Sequence, residues 1–124
     1  MYVSSISSEN QQVINSYGPG CFRIANIVYK TSVLVFPERT ISWPVKEMSE
    51  VSLLSFAELI NSTPSVEVLL VGCGTRMERL ETNLQRALRE NGITADSMDT
   101  GAACRTFNLL LAEGRSLAAS LIIL

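Results

Sequence analysis

Two stretches of the chain hold most of the residues whose types and spacing suit chemistry. The first is Gly72-Cys73-Gly74-Thr75-Arg76, a glycine-rich turn that follows an apolar run. Where such a turn leads into a helix, it offers backbone N–H groups and a positive helix end to an anion. The spacing is not a dinucleotide fingerprint, since position 77 is Met, and no Lys is there for a P-loop. A tight strand-to-helix turn accounts for the same glycines. The second stretch runs from Met98 to Asn108 and carries Asp99, Thr100, Cys104, Arg105, Thr106 and Asn108. Cys104 falls near a helix start and beside Arg105, and both features favour a thiolate. The competing reading is a small buried hydrophobe, the usual role of a free cysteine. Arg105 interrupts a mostly apolar helix and needs a partner: Asp99, a main-chain carbonyl or a bound anion. Asn108, one turn on, offers a polar contact in the same layer.

If the strands before these stretches are parallel neighbours, both loops meet at one sheet edge, where open α/β sheets take ligands. The candidate binding cluster is then Gly72, Cys73, Gly74, Arg76, Asp99, Thr100, Cys104, Arg105, Thr106 and Asn108. Trp43, next to Pro44, reads either as an anchor for a partner or as a cap on the core. The Arg79, Arg86 and Arg89 face is balanced by Glu78, Glu81 and Glu90 and reads as solvated.

Composition removes several kinds of chemistry. The chain has 124 residues, a formal charge of −2 and no histidine. Histidine-based triads, proton shuttles and metal ligation are therefore excluded. The charge leaves no basic footprint for nucleic acid. Cys21, Cys73 and Cys104 lack CxxC spacing, which argues against a zinc site or a disulfide framework. A Cys73–Cys104 pair stays geometrically open. Asp96, Asp99 and Glu113 have neither glycosidase nor metal-cage spacing. No catalytic group and no cofactor are expected. No apolar run approaches the ~18–20 residues that span a bilayer. The first 22 residues hold no Lys or Arg and include Glu9, unlike a secretory or transit peptide.

The elements that must position the two stretches follow from patterning. Residues 1–11 are Ser-rich and aperiodic and read as a flexible arm. Residues 12–124 read as a single α/β domain, of a size that buries a real core. Its first half is an antiparallel meander: 13–17, 21–30, 32–36 and 40–43, punctuated by Gly18-Pro19-Gly20, Pro37 and Pro44. Ser55 and Glu58 have capping-box spacing for a short helix over 55–61. The second half reads β-α-β-α-β. A buried strand covers 66–71. A helix capped by Thr75 and Glu78 buries Met77, Leu80, Leu84, Ala87 and Leu88. A strand covers 93–98, and a helix over 102–113, capped by Asp99 or Thr100, buries Ala103, Phe107, Leu110 and Leu111. The last strand covers 117–124. The whole predicts a three-layer fold: a mixed central sheet, flanking helices and an N-terminal antiparallel β layer.

The stretches VLLVGCGTRMERL and NGITADSMDTGAACRTFNLLLAEGRSLAASLI, with INSYGPGCFRI, SVLVFP and SWPV before them, resemble the family named domain of unknown function 498. This is the family of a mitochondrial complex I assembly factor. The resemblance covers about residues 12–124. It implies a compact three-layer α/β fold and a non-enzymatic factor that binds protein partners, among them subunits of a respiratory or other inner-membrane complex. It supplies no catalytic residues. Gly72, Gly74, Met98, Thr100, Cys104, Arg105, Thr106 and Asn108 match the family pattern, whereas Cys73 stands where a small hydroxyl residue is commoner. The missing presequence implies a bacterial cytoplasmic protein, peripheral at the inner membrane at most. The alternative function is a small-molecule binder or minor enzyme that takes an anionic ligand at the Gly72–Arg76/Asp99–Thr106 edge.

Overall fold

The computed structural model describes residues 10–124, so the arm expected over 1–11 lies almost wholly outside the described residues. The chain first forms β1 (Ile14–Gly18), β2 (Cys21–Ile24) and β3 (Ile27–Tyr29), a small antiparallel sheet in that order. The single strand expected over 21–30 is thus a hairpin. Ala25 and Asn26 take φ of 49° and 67°, the left-handed pair that a two-residue hairpin turn requires. The apolar pattern runs through this turn because Ile27 and Val28 are apolar yet exposed.

The next strands, β4 (Val33–Val35) and β5 (Thr40–Ser42), leave the meander and join a second sheet with β6 (Val68–Gly72), β7 (Thr94–Met98) and β8 (Leu117–Leu121). Its order is β5-β4-β8-β6-β7. β6 runs parallel to β7 and β8, while β4 runs antiparallel to β8 with Val33 opposite Leu121. β6 and β8 are the interior parallel strands, and their near-continuous apolar runs reflect cover on both faces.

One face of this sheet carries α1 (Ala57–Ile60), α2 (Thr82–Glu90) and two 3-10 turns, Met48–Glu50 and Leu53–Phe56. Leu34, Leu69, Val71, Ala118 and Ile122 point into that core, with Trp43, Phe56, Leu59 and Leu88 above them. The other face carries α3 (Thr100–Ala112) and the β1–β3 sheet. There Val33, Val35, Leu70, Ala119 and Leu121 meet Phe107, Ala103, Leu111, Phe22 and Ile24. The period-2 alternation of the central strands sends neighbours to opposite cores. Full burial of each Val, Leu, Ile or Phe among them contributes about 1.5–3 kcal/mol. The expected three layers are present, with α3 and the small sheet sharing the outer layer.

Three expected boundaries shift. The helix expected from Thr75 begins only at Thr82. Gly74, at φ 101°, turns the chain off the helical path. Residues 75–79 then cross the surface, and Leu80 drops into the core at 3% exposure. Met77, expected inside, is 57% exposed. Ser55 does not start the 55–61 helix. It sits one turn into the preceding 3-10 turn, where its hydroxyl accepts from the Ser52 N–H at 3.0 Å. β8 stops at Leu121 rather than Leu124.

Candidate functional site

The parallel pairing of β6 with β7 and β8 does bring the two candidate stretches to one sheet edge. What joins them there is Thr100, fully buried. The Gly74 N–H donates to Thr100 Oγ1 at 2.8 Å, and that hydroxyl donates to the Ile122 carbonyl at 2.8 Å. The Thr100 N–H returns a bond to the Gly74 carbonyl at 2.8 Å, and the Cys73 N–H donates to the Met98 carbonyl at 2.9 Å. One threonine thus ties the carboxyl ends of β6, β7 and β8 to the first turn of α3. Gly72 makes the approach possible. A Cβ there would lie 3.0 Å from Leu121 Cδ2 and 3.1 Å from Thr100 Cα. Of the backbone groups expected to face an anion, the Cys73, Gly74 and Thr100 amides are bonded inside the chain.

Asp99 caps α3, accepting from the Ala102 N–H at 2.9 Å, as a short acidic side chain does at a helix start. Arg105 is exposed, and its guanidinium donates to the phenol oxygen of Tyr17 on β1. This partner differs from those expected and joins α3 to the small sheet. The same ring lies against Gly101, where a Cβ would come within 3.1 Å of Tyr17 Cε2. Asn108 faces the same strand. Its Oδ1 accepts from the Ile14 N–H and its Nδ2 donates to the Ile14 carbonyl, each at 2.9 Å. This two-pronged clamp sits where the β1–β2 register shifts between Ile14 and Ser16. Thr106 is half-buried and Arg76 is exposed.

The thiols depart from the activated reading. Cys104 is 1% exposed. Burial pushes its thiol up to about 12, against the lowering effect of Arg105 and with Asp99 raising it further. Desolvation of the thiolate outweighs the neighbouring cation. Burial likewise raises the Cys73 thiol, which donates to the Glu78 carbonyl at 3.3 Å. Cys21, Cys73 and Cys104 are all free. Trp43 is a core residue rather than a surface anchor. It is 3% exposed, its indole N–H donates to the Ser55 carbonyl at 2.7 Å, and its ring centroid lies 5.7 Å from that of Phe56.

Open surface lies elsewhere. A groove of about 560 Å³ runs between residues 48–53 and 78–87, with Val51, Leu53 and Leu84 on its walls beside the polar Glu78, Arg79 and Asn83. Leu53 on its wall and Leu54 next to it are 40% and 82% exposed. Sequence patterning missed the groove because it assigned residues 75–81 to a helix that would have covered their apolar side chains. Among the described residues there is no cluster of three metal-ligating side chains, and no helix is long and apolar enough to cross a membrane.

A mixed five-stranded sheet between helices, with a small antiparallel sheet beside one of them, defines an α/β domain whose sheet edge is closed by its own threonine. The chain belongs to the family described as protein of unknown function (DUF498/DUF598), which it matches over residues 14–122. Among curated proteins it is similar to the NADH dehydrogenase [ubiquinone] 1 alpha subcomplex assembly factor 3 of Xenopus tropicalis. The two are 38% identical over 88 residues, 71% of this chain and 48% of that protein. The Danio rerio protein of the same name is 37% identical over 110 residues, 89% of this chain and 63% of that one. The chain therefore spans about half to two thirds of the length of these relatives. Among solved structures, one described as an outer membrane protein from Bartonella henselae superposes with a TM-score of 0.84 at 34% identity. It covers 93% of this chain and 97% of its own.

Proposed function

We propose that this chain is a non-enzymatic protein-binding factor that assists the assembly of a respiratory or other inner-membrane complex. The observation that carries this reading is its likeness to relatives named as complex I assembly factors. The surface supports it. Leu53, Leu54 and Met77 expose apolar side chains, and Leu53 lines an open groove of mixed apolar and polar walls, a surface that suits a protein contact. At the candidate sheet edge, in contrast, the Gly74 N–H and the Thr100 hydroxyl are bonded internally. An apolar segment of a partner subunit, laid along the groove, would cover side chains that water now touches.

The test is genetic and physical together. The gene is deleted in its source organism, and membrane complexes are separated on a native gel. The mature complex is expected to fall in the deletion strain and to return with the wild-type gene. A Leu54→Glu/Met77→Glu variant should keep the wild-type melting temperature and fail to restore it. Wild-type abundance of every complex in the deletion strain would overturn the assembly role. Full restoration by the double variant would remove the exposed Leu54 and Met77 side chains from it.

A further inference from the structure

The end of the central sheet opposite the Thr100 tie holds a different kind of cavity. It is bounded by the Phe36–Arg39 turn, the 62–66 loop and the 114–117 turn into β8, and has a volume of about 250 Å³. Its floor is Phe36, Val66 and Leu117, all buried. Its lining adds the hydroxyl residues Ser62, Thr63, Ser65 and Ser116, the exposed Arg39 and Arg115, and one acidic residue, Glu38.

We infer that this cavity is a binding site for a small oxyanion, a carboxylate or phosphate group taken up by Arg39 and Arg115 with the neighbouring hydroxyls. The arginines carry the inference. Arg39 lies over the Phe36 ring, 4.1 Å from its centroid. The turn beneath it is closed by the Phe36 N–H donating to the Arg39 carbonyl at 2.8 Å. Both the base and the head of this side chain are therefore positioned before any ligand arrives. Its ion pair is Glu58 at 3.9 Å, with the two side chains 46% and 62% exposed. At that distance the pair is beyond hydrogen-bond reach and well screened, so the donor fork is available. Arg115 has no ion-pair partner among the described residues. The lining holds two cationic side chains, Arg39 and Arg115, against one carboxylate, Glu38, so its charge favours an anion. Arginine is also the side chain whose geometry suits planar or tetrahedral oxyanions. At about 250 Å³ the cavity falls just below the ~300–1,000 Å³ of drug-sized ligand pockets, which suits a small organic acid or phosphate ester.

The experiment is an amide-resolved NMR titration of the full chain with inorganic phosphate and, separately, with benzoate, each against sodium chloride at matched ionic strength. Saturable shifts are expected at residues 36–39, 62–66 and 114–117. Arg39→Ala and Arg115→Ala should each weaken the response at least tenfold. Arg86→Ala, which removes an equal charge from the exposed side of α2, should leave it unchanged. Spectra outside the cavity report whether each variant is folded, and Arg115→Lys provides a second, gentler loss of the donor fork. Saturation by phosphate alone names a phosphate-bearing ligand, and saturation by benzoate alone names a carboxylate. Shifts that chloride reproduces, shifts that map to another surface, or arginine variants that titrate like wild type would overturn the site.

Discussion

Among single residues, two side chains from the candidate cluster have definite physical roles. Thr100 is fully buried and links Gly74 to Ile122 through one hydroxyl. Thr100→Val keeps the shape and removes both bonds, leaving a buried N–H and a buried carbonyl unpaired. The expected loss is roughly 2–4 kcal/mol, read as a lowered denaturant midpoint with an unchanged slope. A loss below ~1 kcal/mol would mean that the tie is incidental. Cys104 makes a prediction about pH. Its thiol lies at about 12 in the fold, raised from an ordinary value of 9.0. Between those values the unfolded chain binds fewer protons than the native one, so stability falls as pH rises through that window. The slope approaches about 1.4 kcal/mol per pH unit for one group. Unfolding followed from pH 8 upward should show this decline, and Cys104→Ala should flatten it relative to wild type. Equal slopes in the two proteins would contradict the buried, neutral thiol.

Among the elements, α3 is the part that connects everything else on its face. Arg105 and Asn108 lie on it at a spacing of three, so both reach β1. Asn108 substitutes for a neighbouring strand by pairing with both backbone groups of Ile14. Asn108→Ala should cost about 1–2 kcal/mol and release amide protection in β1 before it does so in β6 or β8. Uniform loss of protection across all strands would show that β1 does not depend on this clamp. The late start of α2 follows the same logic. A capping box at Thr75 and Glu78 is a local preference. It is outweighed by Gly74, bonded into the Thr100 network, and by burial of Leu80 in the core.

Across the molecule, β4, β6 and β8 present alternate side chains to both cores. Damage to one face should therefore be felt on the other. Phe107 is fully buried on the α3 face, whereas Trp43, the single tryptophan of the chain, lies in the opposite core. Phe107→Ala should cost about 3–5 kcal/mol. It should also shift the Trp43 fluorescence transition and the far-ultraviolet circular dichroism transition together. A Trp43 transition that stays in place while dichroism moves would show that the two cores unfold separately.

Features with a local or periodic signal were legible from the amino-acid order. The buried strands ending at Val71 and beginning at Leu117 stood out as apolar runs, α3 as a 3.6-residue stripe behind a cap at Asp99 or Thr100, and the Gly72 and Asp99 stretches as neighbours at one sheet edge if their strands ran parallel. The family was legible too, through the same residues. What those residues do at the edge came from the folded chain alone. The contacts of Thr100 with Ile122, Arg105 with Tyr17 and Asn108 with Ile14 join positions 22, 88 and 94 apart, beyond the reach of any pattern within one element. Burial of Cys104 and Trp43, the hairpin at Ala25-Asn26 and the uncovered wall of the groove also depend on what packs against them. Periodicity states which side of an element is apolar. The partner that covers it, or leaves it open, is set by long-range packing, and that packing separated the closed edge at Thr100 from the open cavity between Arg39 and Arg115.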